Sequence, residues 1–401
     1  MRCCHTWQKL SWKRCGKGSS GDRRGYGAVS RTERDIFIIP GKAGRMGEIK
    51  LLDCTLRDGG YINDWKFGHE HLSGIFGRLA AAGIDVIEAG FIDERRDFDR
   101  NRSIMPDAGC MQTIYGGTDR GHAMVVGMID YGTCRLERIP PCRQSFLDGI
   151  RVIFKKPYRK QALRFCDGLK QLGYKVFVQL VSITDYEDAE LLDVAGLANN
   201  IEPYAVSMVD TYGLLHQERL LHVFRLLHQH LLPGIAIGFH GHNNFQMAYA
   251  NCIAVLSQNV CRTLLVDGSI CGMGKGAGNV PTELLVMYLN RVYAKGYRIS
   301  ELLEAADAHI LQFGQSAAWG YSLPSFLAAY HQCHPDYVFM LMEERRLSIR
   351  DVNEVLGLLE QKHKLAFNKE TMEQLLHVWC LKDSDKVSGS TGVRENENKS
   401  C

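Results

Sequence analysis

Long apolar runs are missing from this 401-residue sequence, although 45% of its residues are hydrophobic. No run approaches the roughly 18 apolar residues that a membrane-spanning helix needs. There is also no signal-peptide pattern of a charged start, an apolar centre and a small-residue cleavage site. The sequence therefore argues against a membrane protein, and its length predicts one large domain and a smaller one.

Cysteine pairs at the spacing of redox or zinc motifs are missing as well. The chain has 14 cysteines but no Cys-x-x-Cys, and Cys54, Cys166 and Cys252 lie inside apolar runs. This distribution favours reduced, mostly buried thiols over a disulfide framework. We therefore expect a cytoplasmic protein.

The formal charge of +3 comes from one end of the chain. Residues 1–45 contain 11 Lys or Arg and three Asp or Glu, which leaves 37 basic and 42 acidic residues in the remainder. This leader is glycine-rich and non-periodic, so we expect it to be disordered rather than a nucleic-acid-binding arm. Met46 directly precedes the first predicted strand and would serve as a natural start. The alternative that residues 1–45 are not native sequence therefore stays open.

Short apolar runs alternate with amphipathic segments from Met46 onward, the first of which, 69–82, predicts a helix. This pattern is typical of buried parallel strands that are each followed by a helix. About eight such units over about 250 residues predict a (β/α)8 TIM barrel. A doubly wound α/β sheet, the competing fold, normally has fewer strands and a glycine-rich first turn. The predicted strands are 49–55, 86–90, 124–129, 150–154, 175–180, 205–209, 235–240 and 263–267.

The strand pattern stops near Lys295, and the following segments have only helical periodicity. We therefore predict a barrel domain over residues 46–297 and a small C-terminal helical domain over 298–382. Residues 383–401 are polar and rich in Ser, Lys, Glu and Asn, which predicts a disordered tail.

Two polar clusters follow predicted strands. Arg57 and Asp58 come after the first strand and would be costly to bury unpaired, so a structural ion pair is one interpretation. His240 and His242 close the seventh strand, where residues at i and i+2 project to the same side. With the Asp58 carboxylate, they predict a site for a divalent metal ion. Histidines hydrogen-bonded within the core are the alternative.

More polar residues fall at the carboxyl ends of strands, where TIM barrels build their active sites. Glu88 ends the second strand, and Asp210 and Thr211 end the sixth. The glycine-rich loop 272–278 follows the eighth strand but lacks the Gly-Lys-Ser/Thr of a P-loop. We expect this loop to bind a substrate carboxylate through backbone N–H groups. Asp210, Thr211 and Gly274 are our candidates for substrate binding.

Four segments together resemble the DRE-TIM metallolyases, also called the HMGL-like or pyruvate carboxyltransferase superfamily. They are Leu-Arg-Asp-Gly at 56–59, Ile-Glu-Ala-Gly at 87–90, His-Gly-His-Asn at 240–243 and the stretch 272–283. The resemblance covers about residues 48–295, and the short glycine-rich loop is most similar to the 4-hydroxy-2-oxovalerate aldolase branch. Hydroxymethylglutaryl-CoA lyase has a cysteine in a longer loop there, and Cys271 does not occupy the matching place.

The resemblance implies a role for each residue of the site. Asp58, His240 and His242 would bind a divalent metal, most simply Mn²⁺ or Mg²⁺ with Zn²⁺ as a further candidate, and Asn279 would be a ligand or lie beside it. Catalysis would depend on three side chains that match or replace the family's motif residues: Arg57, Glu88 and Tyr61. Tyr321 lies in a segment that weakly matches a pocket tyrosine of the aldolase branch.

Tyr61 departs from the aldolase pattern, which has a histidine as general base three residues after the metal aspartate. A phenol, with a reference pKa of about 10, is a poor base at neutral pH. Tyr61 would then position the substrate, and water or another group would be the base.

The sequence thus predicts a metal-dependent carbon–carbon lyase that cleaves or forms a bond next to a 2-oxo acid, with pyruvate and an aldehyde as its small molecules. An acyl-CoA lyase or synthase of the same superfamily is one alternative, and a non-catalytic metabolite-binding barrel is another. The resemblance also implies a homo-oligomer and allows an aldehyde dehydrogenase partner.

Overall fold

The computed structural model describes residues 47–315, 319–364 and 367–388. The predicted leader, 1–45, and residues 389–401 of the predicted tail lie outside the described residues. The last helix runs over Lys369–Ser388 and therefore includes the first six residues that were assigned to the tail.

Eight parallel strands close into a barrel, which confirms the predicted TIM-barrel fold. Strand β1 pairs with β9 on one side, where Leu52 lies opposite Asp267, and with β2 on the other, where Leu52 lies opposite Val86. A two-residue strand, β3, pairs only with β2 and is not part of the ring. The strands are β1 Ile49–Asp53, β2 Val86–Ile92, β3 Ile104–Met105, β4 Met124–Asp130, β5 Gly149–Ile153, β6 Lys175–Leu180, β7 Ala205–Asp210, β8 Ala236–Gly241 and β9 Leu264–Gly268.

Helices surround the barrel because each buries one apolar stripe against the strands. In the helix predicted over 69–82, Leu72, Ile75, Phe76 and Leu79 are buried, and Gly83 ends it in the left-handed region at φ 81°. Residues 131–148 form only two 3₁₀ turns, so β4 and β5 are joined without an α-helix. The helices up to β9 and just after it are α1 Thr55–Asp58, α2 His69–Ala82, α3 Gly109–Tyr115, α4 Arg159–Gln171, α5 Asp188–Ile201, α6 Gln217–His230, α7 Ala248–Leu256 and α8 Thr282–Tyr293.

The C-terminal helices belong to two different hydrophobic cores. Helix α9 (Ile299–Ala305) packs on α2, where Arg78 pairs with Glu301 at 2.7 Å, and the barrel core continues to Ile310. A second core extends from Leu327 to Met372. The two cores separate after Ile310, whereas the predicted helical domain begins at residue 298; periodicity alone does not tell which core a helix joins. The second core is built from α10 Leu323–Tyr330, α11 Pro335–Phe339, α12 Ile349–Leu356 and α13 Lys369–Ser388.

This second helical region packs on the loops at the carboxyl ends of the barrel strands. Asn244 Nδ2, in the loop after β8, donates to the Ser325 carbonyl at 3.0 Å. Trp319 Nε1 donates to the Cys271 carbonyl, after β9, at 2.9 Å. Within the described ranges no helix combines the length and apolar character that crossing a membrane would require.

Candidate metal centre

Three side chains from distant parts of the chain meet at the carboxyl end of the barrel. Asp58 lies in the one-turn helix α1, His240 lies in β8, and His242 follows that strand. One ligand atom from each lies within 4.8 Å of the other two, and all three residues are buried. The distance from His242 Nε2 to Asp58 Oδ2 is 3.8 Å, and the two Nε2 atoms are 3.4 Å apart.

Both imidazoles are held through their other ring nitrogen. His240 Nδ1 lies 3.0 Å from the Asp267 carboxylate, and His242 Nδ1 lies 3.1 Å from the Lys275 carbonyl. Because these oxygens only accept hydrogen bonds, both Nδ1 atoms carry a proton, and in the neutral form of each imidazole Nε2 presents a lone pair. Two lone pairs that face each other at 3.4 Å fit a bound cation.

Asn279 and Gly274 complete the wall around Asp58. Asn279 Nδ2 donates to Asp58 Oδ2 at 2.7 Å, and among the described residues its buried Oδ1 has no hydrogen-bond partner. A Cβ at Gly274 would lie 2.5 Å from Asp58 Oδ2 and would also overlap Asn279 Nδ2. The free amide oxygen of Asn279 is therefore a further candidate ligand atom, and position 274 has room only for glycine.

Burial and nearby charges keep the ligand atoms of Asp58 and His242 deprotonated. Burial alone would raise the pKa of Asp58, but the Arg57 guanidinium and His242 hold it well below its usual range. Burial lowers the pKa of His242 to about 4. A carboxylate and a neutral imidazole are the protonation states that bind metal ions.

A buried ring of charged side chains supports the centre from inside the barrel. Arg57 pairs with Asp58, and its Nε donates to Glu88 Oε2 at 2.7 Å. Arg151 lies 3.0 Å from the same Glu88 oxygen and pairs with Asp267, which holds His240. Three carboxylates and two guanidinium groups give this ring a net charge of −1.

Sequence reasoning missed Arg151 and gave Gln179 no role. Arg151 is 1% exposed in β5, and its Nη2 donates to Gln179 Oε1 in β6 at 2.9 Å. The sequence did contain a signal for these two residues, since each is a polar side chain within an apolar parallel strand. Such a residue must find a polar partner inside the barrel.

A cavity of about 70 Å³ opens beside the centre. Tyr61 lies at its edge with 39% of its surface exposed, while desolvation of its hydroxyl group raises the pKa of Tyr61 to about 12. Its phenol is therefore protonated at neutral pH and can donate a proton but not accept one. The cavity is lined by Arg57, Asp58, Tyr61, Met128, Ile153, Gln179, Val181, Val209, Thr211, His240, His242 and Lys275.

The other residues that were predicted to bind substrate occupy three different environments. Thr211 lines the cavity, and its Oγ1 accepts from the Ser182 N–H at 2.8 Å. The Asp210 carboxylate accepts the N–H groups of Leu214 and Leu215 at 2.8 and 2.9 Å, so it shapes the loop after β7. Tyr321 is 55% exposed and is not part of the cavity lining.

A larger cavity, of about 950 Å³, lies at the opposite, amino end of the strands. It is lined by residues such as Glu48, Asp85, Arg120 and Lys175. The Asp85 carboxylate accepts a hydrogen bond from the Leu51 N–H at 2.8 Å, and Arg120 forms an ion pair with Asp148. These charged groups of the larger cavity therefore already have partners. The smaller cavity is the candidate active site, because it adjoins the only cluster of potential metal ligands found among the described residues.

Comparisons with known proteins agree with this geometry. An oxaloacetate decarboxylase from Mycobacterium tuberculosis is 27% identical over 251 residues, which are 60% of this chain and 70% of that protein. A 4-hydroxy-2-oxovalerate aldolase from Bacillus cereus is 25% identical over 336 residues, 81% of this chain and 93% of that one. The solved structure of the HMG-CoA lyase from Bacillus subtilis has the same fold, with a TM-score of 0.53 at 16% identity over 68% of this chain and 95% of that one.

The family model described as HMGL-like matches residues 48–308, a range that contains the whole candidate metal centre. The superfamily that the sequence motifs predicted is thereby confirmed. The chain belongs to the HMGL-like family.

Proposed function

We propose that this lyase is a divalent-metal-dependent aldolase that cleaves or forms the carbon–carbon bond between a 2-oxo acid, most simply pyruvate, and an aldehyde. The observation that carries the proposal is the buried cluster of Asp58, His240 and His242 beside the Arg57 guanidinium. The names of the aldolase and decarboxylase relatives support it.

The residues present fit a divalent ion. Asp58, His240, His242 and the free oxygen of Asn279 would hold it, and this set of oxygen and nitrogen atoms suits Mn²⁺, Mg²⁺ or Zn²⁺. A bound ion would act as a Lewis acid that polarises the 2-oxo group of the substrate.

Arg57 is placed to stabilise the enolate that forms when the bond breaks. Its Nε and Nη1 atoms are held by Glu88 and Asp58. Its Nη2 makes no hydrogen bond to a described residue, and Arg57 lines the cavity. A fixed cation in a site of low dielectric constant stabilises developing negative charge without reorganising.

Tyr61 fits the role of proton donor. Retro-aldol cleavage removes the proton of the 4-hydroxyl, breaks the C3–C4 bond and leaves the electron pair on C3 as an enolate. A proton delivered to C3 then gives the 2-oxo acid. The protonated Tyr61 phenol at the cavity edge is suited to this last transfer and unsuited to the first.

Tyr61 also favours a second candidate function, decarboxylation of a 2-oxo acid that carries a carboxylate on C3. That reaction releases CO₂, leaves the same enolate and needs no base to start it. The specific observation that favours it is Tyr61 at the position where the aldolase branch has its histidine base, because a phenol stays protonated at neutral pH.

Cysteine-assisted cleavage of an acyl-CoA is less well supported. The Cys271 N–H donates to Glu283 at 3.1 Å, and burial raises the pKa of the Cys271 thiol to about 11. Cys271 is not part of the cavity lining.

The test measures pyruvate released from a panel of 4-hydroxy-2-oxo acids and from oxaloacetate, with Mn²⁺ or Mg²⁺ and with a chelator. We expect metal-dependent release that the chelator abolishes. Asp58→Ala serves as the blank, because free metal ions decarboxylate oxaloacetate slowly. Saturable binding of these acids without any product would instead indicate a metabolite-binding barrel.

A further inference from the structure

Lys275 links the glycine-rich loop to the proposed metal centre. Its N–H donates to Asp58 Oδ2 at 3.3 Å, and its carbonyl oxygen is the acceptor for His242 Nδ1 at 3.1 Å. Its side chain lines the cavity, and its Nζ lies 5.4 Å from the centre of the Tyr61 ring. The backbone of Lys275 is therefore fixed by the ligands, while its ammonium reaches the side of the cavity where Tyr61 lies.

The Lys275 ammonium has no carboxylate partner in the part of the chain that the structure describes. The cavity lining contains three side chains that carry a charge, Arg57, Asp58 and Lys275, and the first two pair with each other. The face of Tyr61 gives Lys275 a weak cation–π contact, which is a poor substitute for a counter-ion when the lysine is partly buried. This leaves one cation of the cavity free to bind an anion.

The charges around the cavity favour a substrate with two anionic groups. The buried ring carries −1, so a divalent ion would bring the centre to +1, and Lys275 raises the total to +2. A 2-oxo monocarboxylate would neutralise one of these charges. A 2-oxo acid with a second carboxylate would neutralise both.

We propose that Lys275 binds a carboxylate on the aldehyde half of the substrate, so that the preferred substrates are 4-hydroxy-2-oxo acids whose C4 bears a carboxylate. The inference rests on the proposed aldolase function. The 2-oxo acid end lies against Arg57 and the proposed ligands, and the aldehyde half points toward Tyr61 and Lys275. Cleavage of such a substrate yields pyruvate and an aldehydic acid.

A matched pair of substrates isolates this contact. 4-Hydroxy-2-oxoglutarate and 4-hydroxy-2-oxopentanoate differ only in a carboxylate or a methyl group on C4, and both release pyruvate. We expect kcat/KM of the wild type to be roughly 10- to 100-fold higher for the glutarate, the range of a hydrogen bond to a charged group. Lys275→Met should lower this ratio toward one, since methionine keeps the length of the side chain and the backbone contacts but removes the charge.

Lys362→Met is the control, because Lys362 is exposed and pairs with Glu360 at 2.8 Å in the helical region. This variant should keep the wild-type ratio. Mn²⁺ binding by each variant, measured by calorimetry, establishes that the centre is intact.

If the wild type cleaves the two compounds at equal rates, the inference is contradicted but the proposed aldolase function is not. The inference is also contradicted if the Lys275→Met variant binds Mn²⁺ and loses the same fraction of its activity with both substrates. Lys275 would then contact the 2-oxo acid half, which the two substrates share. Release of pyruvate from neither compound contradicts the proposed function and the inference with it.

Discussion

Tyr61 lies three residues after the proposed ligand Asp58, and its phenol is protonated over the whole physiological range of pH. Burial raises the pKa of Tyr61 to about 12, so its ionisation cannot give rise to a change in rate near neutrality. In the proposed aldol cleavage Tyr61 would therefore donate a proton or position the substrate, and another group would accept the proton of the 4-hydroxyl.

Tyr61→Phe should lower kcat roughly 3- to 10-fold, which corresponds to the loss of one hydrogen bond. The shape of the pH–rate profile between pH 6 and 9 should stay that of the wild type, because the phenol does not titrate in this range. Steady-state pyruvate release across this range measures both effects. A limb of the wild-type profile that disappears in Tyr61→Phe would show that the phenol acts as the base.

Arg151 is the residue whose loss should damage the fold most directly. It is held between Glu88 and Asp267 inside the barrel, and it is 1% exposed. Arg151→Met would leave two buried carboxylates short of a counter-ion, so we expect the free energy of unfolding in urea to fall by about 3 to 5 kcal/mol.

The exposed Arg350, which pairs with Glu354 at 3.3 Å within α12, provides the control. Arg350→Met should change the unfolding free energy by less than about 0.5 kcal/mol. An Arg151→Met protein within 1 kcal/mol of the wild type would mean that the buried ring does not contribute to stability as described.

The residues that could be predicted are those that interrupt an apolar pattern at its end. Arg57, Asp58, His240 and His242 lie at or just after the carboxyl ends of strands, where a TIM barrel gathers its polar groups. Arg151 lies inside a strand, and its partners come from β2 and β9. Which strands are neighbours across the barrel interior depends on the closed register, and a single sequence does not specify it.

At the scale of elements, the glycine-rich loop after β9 holds the centre together. It brings Gly274, Lys275 and Asn279 against Asp58 through main-chain and amide contacts. The sequence predicted this loop and its position, and we expected the loop to bind a substrate carboxylate. In the structure its contacts go mainly to the proposed metal ligands.

Gly274→Ala should weaken Mn²⁺ binding at least about tenfold, because the added methyl group would displace the Asp58 carboxylate and Asn279. Isothermal titration calorimetry measures the affinity. Gly196→Ala on α5 is the control, since nothing lies within 4 Å of its added methyl group and its backbone is helical. Wild-type affinity in Gly274→Ala would contradict the tight packing of the loop on the ligands.

The helices show where periodicity is sufficient and where it is not. Helix α2 was predicted over its full range, because its buried stripe and the glycine that follows it are both visible in the sequence. The packing of helix α9 on α2 could not be predicted in this way, because α2 lies more than 200 residues earlier in the chain.

At the scale of the whole molecule, the contribution of Asp53 to folding stability should fall as the pH rises from 4 to 6. Burial raises the pKa of Asp53 to about 6, and its carboxyl group lies between the Thr55 N–H and the Thr282 hydroxyl. The folded state therefore binds this proton more tightly than the unfolded state, whose pKa is near 3.9. The stabilisation is complete below about pH 4 and is lost as the pH passes 6.

Asp53→Asn removes this ionisation and keeps an oxygen for the Thr55 N–H. Between pH 4 and pH 7 the unfolding free energy of the wild type should fall relative to the variant by up to about 3 kcal/mol. Urea denaturation at the two pH values measures the difference. A constant difference between the two proteins would contradict the raised pKa.

The whole chain combines a barrel that holds the centre with a helical region that packs on the loops around it. The homo-oligomer, the aldehyde dehydrogenase partner and the cytoplasmic location stay predictions of the sequence. The barrel could be predicted because its alternating pattern is repeated in every unit, whereas the packing of the helical region depends on single contacts such as Trp319 with Cys271.

Binding of Mn²⁺ tests the central claim most directly. Calorimetry on the wild type should give one site per chain, and Asp58→Ala, His240→Ala and His242→Ala should each weaken it at least about 100-fold while the circular dichroism spectrum of the barrel is kept. Loss of pyruvate release should accompany loss of the ion in all three. Binding of Mn²⁺ with wild-type affinity in these folded variants would contradict the assignment of the three residues as a metal centre.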